Sequence, residues 1–419
     1  MIKKSFVLIL LAVFSLTVNH STLQLSPIEL KAHQYRWELA EWEIANLTSK
    51  WRHRASNFLF GASMRNQDLR QKVADYLELG KSERQILTSR ERLSATPEDY
   101  SEIELGKLEM RLQEVSRRMA RLQPEVEEFL EGELGLVLKE QDILLTPGPF
   151  QFTFPPVDFR FDKPPQVLIL SSRGHIKRIG PSILLSPSMT ISEIERLEES
   201  IFISENLSAL IEPTGGIATY PAVISNNQPL RILLQTAAHE WLHQYLIFKP
   251  LGRQYWKDQR LLTLNETVAT LAGKELGDLA YVRLGGKLTT STNLKLTQES
   301  GNTQNDFVFA SEMRKTRLRV DQLLTEGKIV EAEAYMEERR SLFEDHGFHI
   351  RKLNQAYFAF HGSYGTSPAS SSRLGPEITE VRNSYPSLSL FIKDISELSS
   401  YEEFRYLLKA KSSQDENGR

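Results

Sequence analysis

The sequence predicts an α+β, mostly helical fold: a small sheet with helices against it, an N-terminal helical hairpin or bundle, and C-terminal helices. Three observations predict this. Apolar residues recur at alternating three- and four-residue spacings through the first third of the chain, the stripe of packed helices. That pattern stops near Pro147, where Pro, Phe and Asp cluster and short strand-like runs begin. Two apolar helical segments follow, at 230–248 and 261–284, and charged helical segments fill most of the remainder.

The N-terminal residues 1–24 are expected to be a signal peptide or a short membrane anchor. Lys3 and Lys4 precede the apolar run Phe6 to Val18. That run is shorter than the roughly 20 residues of an ordinary spanning helix and matches a signal core. No A-x-A triplet follows, so an uncleaved anchor with its lysines inside stands beside a removed signal. A buried N-terminal helix is the third reading. Either of the first two makes the protein extracytoplasmic: secreted, periplasmic, or anchored N-in and C-out.

Residues 25–142 are expected to form a helical hairpin or coiled-coil-like domain. Trp37, Ala40, Ile44, Leu47 and Trp51 form one apolar series; Leu108, Leu112, Val115, Met119, Leu122, Val126 and Phe129 form another. Each is short for a free-standing coil, which favours an intramolecular hairpin over an intermolecular coiled coil. Pro124 should kink or break the second helix.

Residues 143–410 are expected to be a further domain that mixes short strands with helices and carries the C-terminal helices. Gln166–Ser171 and Ser182–Ser186 read as short strands, separated by turns at Gly174 and Gly180-Pro181. Ile191 to Phe202 reads as a helix with Thr190 or Ser192 at its start. Gly215 to Ile224 reads as a strand whose Pro221 assigns it to an edge. Asn226, Asn227 and Pro229 start the next helix; Pro250 and Gly252 end it. The polar stretch 287–305 reads as a mobile loop. Helices are expected near 306–325, 328–345 and 349–361, a Gly/Ser/Pro loop near 362–376 and a terminal helix over Tyr401 to Lys409. The tail 411–419 is expected to be disordered.

Composition narrows the chemistry. The 419 residues carry a net charge of −3, which gives no reason to expect a nucleic-acid partner. There is no cysteine, so disulfides, thiolate metal sites and cysteine nucleophiles are excluded. Any metal must be held by His and carboxylate. His239-Glu240-Trp241-Leu242-His243 supplies that donor set within one helix, as H-E-x-x-H. Imidazoles four residues apart share a helical face and can grip one ion, here Zn2+, while Glu240 takes a proton from water as general base. Glu266, on the next apolar helix, is the third ligand candidate; the 22 intervening residues let the chain reverse. The alternative is a buried helix whose histidines bond only to backbone. Two histidines and a glutamate in so apolar a segment would then be desolvated without a strong partner.

The pair His239–His243 and Leu264-Asn265-Glu266-Thr267-Val268-Ala269 resembles the gluzincin metallopeptidases, and the second motif resembles the L-N-E-x-x-A of their aminopeptidase branch. The resemblance covers about residues 165–285. It implies a thermolysin-like core, zinc held by His239, His243 and Glu266, and a peptide or protein substrate. It also implies that substrate adds to the Gly215–Ile224 edge, which makes Gly216, Ile217 and Ala218 candidate substrate-binding residues. Three features depart from the family pattern. The spacer between the motifs is a few residues longer; Thr270 stands where many members have an Asp; and the edge lacks the acidic residue that holds a substrate amino group.

A hydrolase of this kind also needs a donor for the oxyanion. Tyr281, Tyr357, Tyr364, His346, His349 and His361 are candidates. Tyr364 stands out because Gly362 and Gly365 let its loop approach a ligand; an ordinary helix-end loop is the alternative. His346 and His349 read as a second metal pair or, more simply, as a surface turn around Gly347. The functional expectation is an exported zinc metallopeptidase. The competing expectation is a non-catalytic extracytoplasmic scaffold or peptide-binding adaptor with a degenerate zincin fold.

Overall fold

The computed structural model describes residues 26–46, 50, 66–94, 101–144, 152–180, 182–288 and 307–417. The segment 1–24 and most of the polar stretch 287–305 lie outside these residues, as do Leu47 and Trp51 of the first apolar series. Among the described residues no helix is long and apolar enough to cross a membrane.

The chain is mostly helical with two small sheets. After α1 (Pro27–Ala32), capped by a reciprocal Ser26–Glu29 pair, residues 39–46 are helical. The first series is not a continuous seam: Trp37 precedes this helix and Ile44 is exposed. Two long helices follow, α2 (Asn66–Ser94) and α3 (Ser101–Glu140), packed on each other within the chain. Pro124 does not break α3. An interior proline costs about 3 kcal/mol, whereas each large apolar side chain buried contributes about 1.5–3 kcal/mol. Met119 before it and Val126, Phe129 and Leu130 after it are all buried, so packing carries the helix through.

One sheet has the order β3-β2-β4, formed by β2 (Gln166–Ser172), β3 (Ile183–Leu185) and β4 (Leu207–Pro213), all antiparallel. The unbroken apolar run of β2 reflects burial on both faces. Leu168 and Leu170 pack with Ile194, Leu197 and Ile201 of α4 (Ile191–Glu205). Val167 and Ile169 face Ala356 of α10 (Gln355–His361). β4 was not expected from the sequence. It follows α4 after one residue, Asn206, whose left-handed backbone (φ 53°) turns the chain without a Gly or Pro signal.

The other sheet has the order β1-β6-β5, from β1 (Phe159–Phe161), β5 (Gly216–Ile217) and β6 (Ala222–Ile224). The single strand expected over Gly215–Ile224 is therefore two short strands. β5 folds back on β6, with Gly216 opposite Ile224 and Ile217 opposite Val223. Thr219 makes the turn: its N–H donates to the Ile217 carbonyl (2.8 Å) and its hydroxyl to the Pro221 carbonyl (2.6 Å). β5 keeps the expected edge position.

The centre of the molecule is a helix pair, α5 (Leu230–Ile247) and α7 (Gln259–Arg283), linked through the short α6 (Pro250–Arg253). Their core is continuous with that of α2 and α3, so hydrophobic packing does not part at residue 142. Small residues on α7 let the backbones approach closely. A Cβ at Gly273 would lie 2.8 Å from the His239 backbone nitrogen, and one at Gly277 2.5 Å from the Gln235 Cα. α8 (Phe309–Thr325) and α9 (Ile329–Asp345) build a separate cluster around Met313, Met336 and Phe343.

The C-terminal third differs from expectation in three places. The helix expected over 349–361 begins only at Gln355, where the Asn354 side chain accepts the Tyr357 N–H (2.9 Å) as a cap. The loop expected over 362–376 ends where α11 (Leu374–Asn383) begins, and α12 (Leu388–Ser396) follows. The tail expected to be disordered is helical to Asn417, in α13 (Tyr401–Asn417). Phe404 and Leu408 anchor that helix, the Lys411 ammonium lies 3.9 Å from the Tyr385 ring centroid, and the Ser412 hydroxyl donates to Glu380 (2.9 Å). Extending an anchored helix avoids the nucleation cost.

The close approach of α5 and α7 gives the first prediction. Gly277→Ala drives a methyl into backbone and is expected to cost about 1–3 kcal/mol. Gly135→Ala, in the interior of α3 with nothing within 4 Å of the new atom, is expected to gain about 0.4–1 kcal/mol by restricting the unfolded chain. Urea unfolding midpoints check both. A Gly277→Ala protein as stable as the parent contradicts the packing described.

Candidate metal centre

The α5 helix presents its polar residues in two directions. His239 and His243 point toward α7. Glu240 and Gln244 point toward the β5–β6 turn, where Gln244 donates to the Thr219 carbonyl. Between these faces the Trp241 indole donates to the Pro155 carbonyl (2.8 Å), which fixes the rotation of the helix about its axis.

Glu266 of α7 faces the histidine pair. Its Oε2 lies 3.8 Å from His239 Nε2 and 3.5 Å from His243 Nε2, and the two Nε2 atoms are 3.0 Å apart. The point equidistant from these three atoms is about 2.0 Å from each, within the range of zinc–nitrogen and zinc–oxygen bonds. Glu266 Oε2 is buried and accepts no hydrogen bond, which is costly for a carboxylate oxygen unless a cation meets it. Geometry and donor types therefore suit a divalent ion such as zinc. Among the described residues this is the one grouping of three His or carboxylate ligands within 4.8 Å of one another.

The ligands are held from behind. His243 Nδ1 lies 2.9 Å from Asn265 Oδ1, which directs its Nε2 at the site. The Ala269 backbone carbonyl lies beside the His239 ring. The Thr270 hydroxyl donates to the Glu266 backbone carbonyl (2.8 Å). The Tyr255 hydroxyl donates to Glu266 Oε1, leaving Oε2 to the ligand position.

Electrostatics separate the roles. Burial, with His243 beside it, pulls His239 down to about 4, so it is the neutral imidazole a metal needs. Burial also opposes charge on His243 and Glu266, but their mutual attraction outweighs it, raising the first and lowering the second. Burial pushes Glu240 up to about 7. A carboxyl poised there can both take and give a proton near neutral pH.

A cavity of about 780 Å³ opens over the three ligands. Its floor contains His239 and His243, whose side chains remain 17% and 15% exposed. The expected substrate residues Gly216, Ile217, Ala218 and Tyr364 all line it. At Gly216 a Cβ would meet Glu240 Oε1 at 2.7 Å, so only glycine lets that carboxylate lie against the edge strand. Tyr364 reaches the site because the Gly365 N–H donates to Thr267 Oγ1 (2.9 Å), one residue from Glu266. Its ring centroid is 6.5 Å from that of His239.

The other oxyanion candidates divide. His361 lines the cavity, its ring tilted against that of Tyr357, and burial holds it down to about 4. Tyr357 itself packs into the core beside β2, and Tyr281 packs at Gly286, beyond the end of α7. His346 stacks on Phe307 with 3.9 Å between centroids, and with His349 it flanks the turn at Gly347 (φ 82°). The surface-turn reading of that pair therefore fits.

Sequence reasoning missed Tyr255 and Arg178, both of which line the cavity. The signal for Tyr255 was an adjacent aromatic pair, Tyr255-Trp256, in a short polar connection between two site helices. Arg178 carried no signal, since its neighbours come from distant segments. No known protein family, curated protein or solved structure matches this chain.

The supporting hydrogen bonds give the second prediction. Asn265→Ala and Tyr255→Phe are each expected to weaken zinc binding about 10–100-fold, as loss of outer partners does elsewhere. Competition with a chromophoric zinc chelator measures this. Unchanged affinity in both variants would remove the support assigned to these residues.

Proposed function

We propose that the protein is a zinc metallopeptidase of gluzincin-like type, exported through its N-terminal segment. The observation that carries the reading is the triangle of His239 Nε2, His243 Nε2 and Glu266 Oε2, whose three atoms share a point about 2.0 Å away, with Glu240 beside it on the cavity wall. A zinc ion held by those three atoms acts as a Lewis acid on a carbonyl and lowers the pKa of water to about 7.

The chain's own residues do the rest. The exposed edge of β5 offers backbone groups to an extended peptide, so that Gly216, Ile217 and Ala218 align the chain to be cut. Glu240 takes a proton from the attacking water as its oxygen bonds to the scissile carbonyl carbon. Glu240 then passes that proton to the departing nitrogen as the carbon–nitrogen bond breaks. The products are a carboxylic acid and an amine, which ionise to carboxylate and ammonium near neutral pH, and Glu240 returns to its starting state. The Tyr364 hydroxyl, on the same cavity, is a donor for the charge that grows on the carbonyl oxygen. Burial keeps that phenol well above its ordinary pKa, so it remains a donor at neutral pH.

Export is supported by Lys3 and Lys4 ahead of the apolar run Phe6 to Val18. The small sheets and helix pair agree with a zincin-like core.

The test compares wild type with Glu240→Gln on a mixed peptide library, with zinc content measured in parallel. Wild type is expected to carry about one zinc per chain and to cleave peptides. The variant is expected to keep its zinc and lose at least about 100-fold in rate, the usual share of a general base. Equal rates contradict the role of Glu240. Zinc-free wild type, or a wild type inactive on every peptide, favours the non-catalytic adaptor instead.

A further inference from the structure

The cavity that holds the metal-ligand triangle has an uneven charge lining. Among the described residues its carboxylates are Glu240 and Glu266 alone, and both belong to the site. It has no acidic group for a substrate's amino terminus. It does have two further cations, Lys274 and Arg178. Lys274 is paired with Asp278 at 3.2 Å. Arg178 makes no ion pair among the described residues; its Nη2 donates only to the Ser182 hydroxyl.

One donor of Arg178, its Nε, is orphaned: it is buried and has no hydrogen-bond partner. Leaving a donor of a charged group unmet costs more than for a neutral one, which is about 1–3 kcal/mol. Elsewhere in this protein the same edge, Nε with Nη2, forks a carboxylate. Arg173 holds Glu333 this way at 2.8 and 2.7 Å, Arg231 holds Asp278 at 2.7 and 2.8 Å, and Arg382 holds Glu275 at 2.9 and 2.8 Å. The planar fork matches two carboxylate oxygens.

Arg178 is also held in place. Its backbone bridges Ser171 of β2, and the next residue, Ile179, donates its N–H to the Leu170 carbonyl at 2.9 Å. The guanidinium carbon lies 5.9 Å from the Trp256 ring centroid, so an aromatic wall flanks it. Its charge reaches Tyr255 and Tyr364, where it opposes the burial that raises both phenols. The cation therefore lines the same cavity as β5, near Tyr255 and Tyr364.

We propose that Arg178 receives a carboxylate of the peptide substrate, foremost its C-terminal one, so that this enzyme acts on peptides near a free carboxyl end and not from the amino end. The inference rests on the metallopeptidase reading for the identity of the ligand as a peptide. The carboxylate preference itself needs no turnover.

The experiment measures binding by calorimetry to full-length zinc-loaded Glu240→Gln protein. Three N-acetylated tetrapeptides serve as probes: one ending in phenylalanine as the free acid, the same peptide as the C-terminal amide, and an amide ending in glutamate. The free acid is expected to bind at least tenfold tighter than the phenylalanine amide. Adding Arg178→Gln is expected to abolish that difference, and Arg178→Lys to keep part of it. Tight binding of the glutamate amide assigns the site to carboxylates in general, the terminal one included. Equal binding of acid and amide, failure of all three to bind, or a preference that survives Arg178→Gln overturns the proposal. Wild type assayed on the acid and its amide separates this from the functional reading. Cleavage of both alike sinks the carboxylate receptor and leaves the peptidase. Preferential binding of the acid without any cleavage leaves the receptor and sinks the peptidase.

Discussion

The site depends on how closely two helices can lie. Ligands four residues apart on α5 provide only two corners of a coordination set. The third must come from another element whose backbone is near enough for a glutamate to reach both imidazoles. Gly273 and Gly277 bring α7 against the backbone of α5 at His239 and Gln235. Ala269, Ala272 and Ala280, all buried, keep the same stripe narrow. Larger side chains there would push Glu266 outward, and the three ligand atoms would no longer share a point about 2 Å away.

That closeness has an electrostatic consequence. His239, Glu240, His243 and Glu266 sit together in a largely apolar interior, where unpaired charge is expensive. The surrounding structure answers each demand separately. Asn265 orients His243, the Ala269 carbonyl lies beside the His239 ring, and Tyr255 meets one oxygen of Glu266. The other oxygen is left for a cation. Glu240 is set apart from this network, against the glycine of the edge strand, and its raised pKa follows from burial among apolar neighbours. One site thus contains two carboxyl environments, one that lowers the pKa of Glu266 and one that raises that of Glu240.

The grouping of His239, Glu240 and His243 was legible in the sequence because helical geometry fixes what H-E-x-x-H does. A four-residue interval sets two histidines on one face whatever the rest of the fold becomes. Glu266 was legible from the reversal at Pro250 to Gly252 and the Leu264–Ala269 motif. The edge position of Gly216 was readable from Pro221, although the chain doubles back at Thr219, where side-chain hydrogen bonds decide the path. β4 escaped because Asn206 turns the chain without glycine or proline. Of the kink or break expected at Pro124 the break does not occur, because the cost of one proline is local while the packing around it is not. Tyr255 escaped inside the short connection between the two site helices. Arg178 escaped for the reason that hides most cavity residues: it meets the site across long stretches of chain, and no spacing encodes that. The helical tail beyond Lys409 escaped likewise, since Tyr385 and Glu380 hold it from another helix.

The most direct test of the central claim is anomalous diffraction at the zinc edge from crystals of the zinc-loaded protein. The account predicts one strong peak among His239 Nε2, His243 Nε2 and Glu266 Oε2, about 2.0–2.2 Å from each. A map with no peak there, or with the ion held by the histidines while Glu266 turns away, would contradict it.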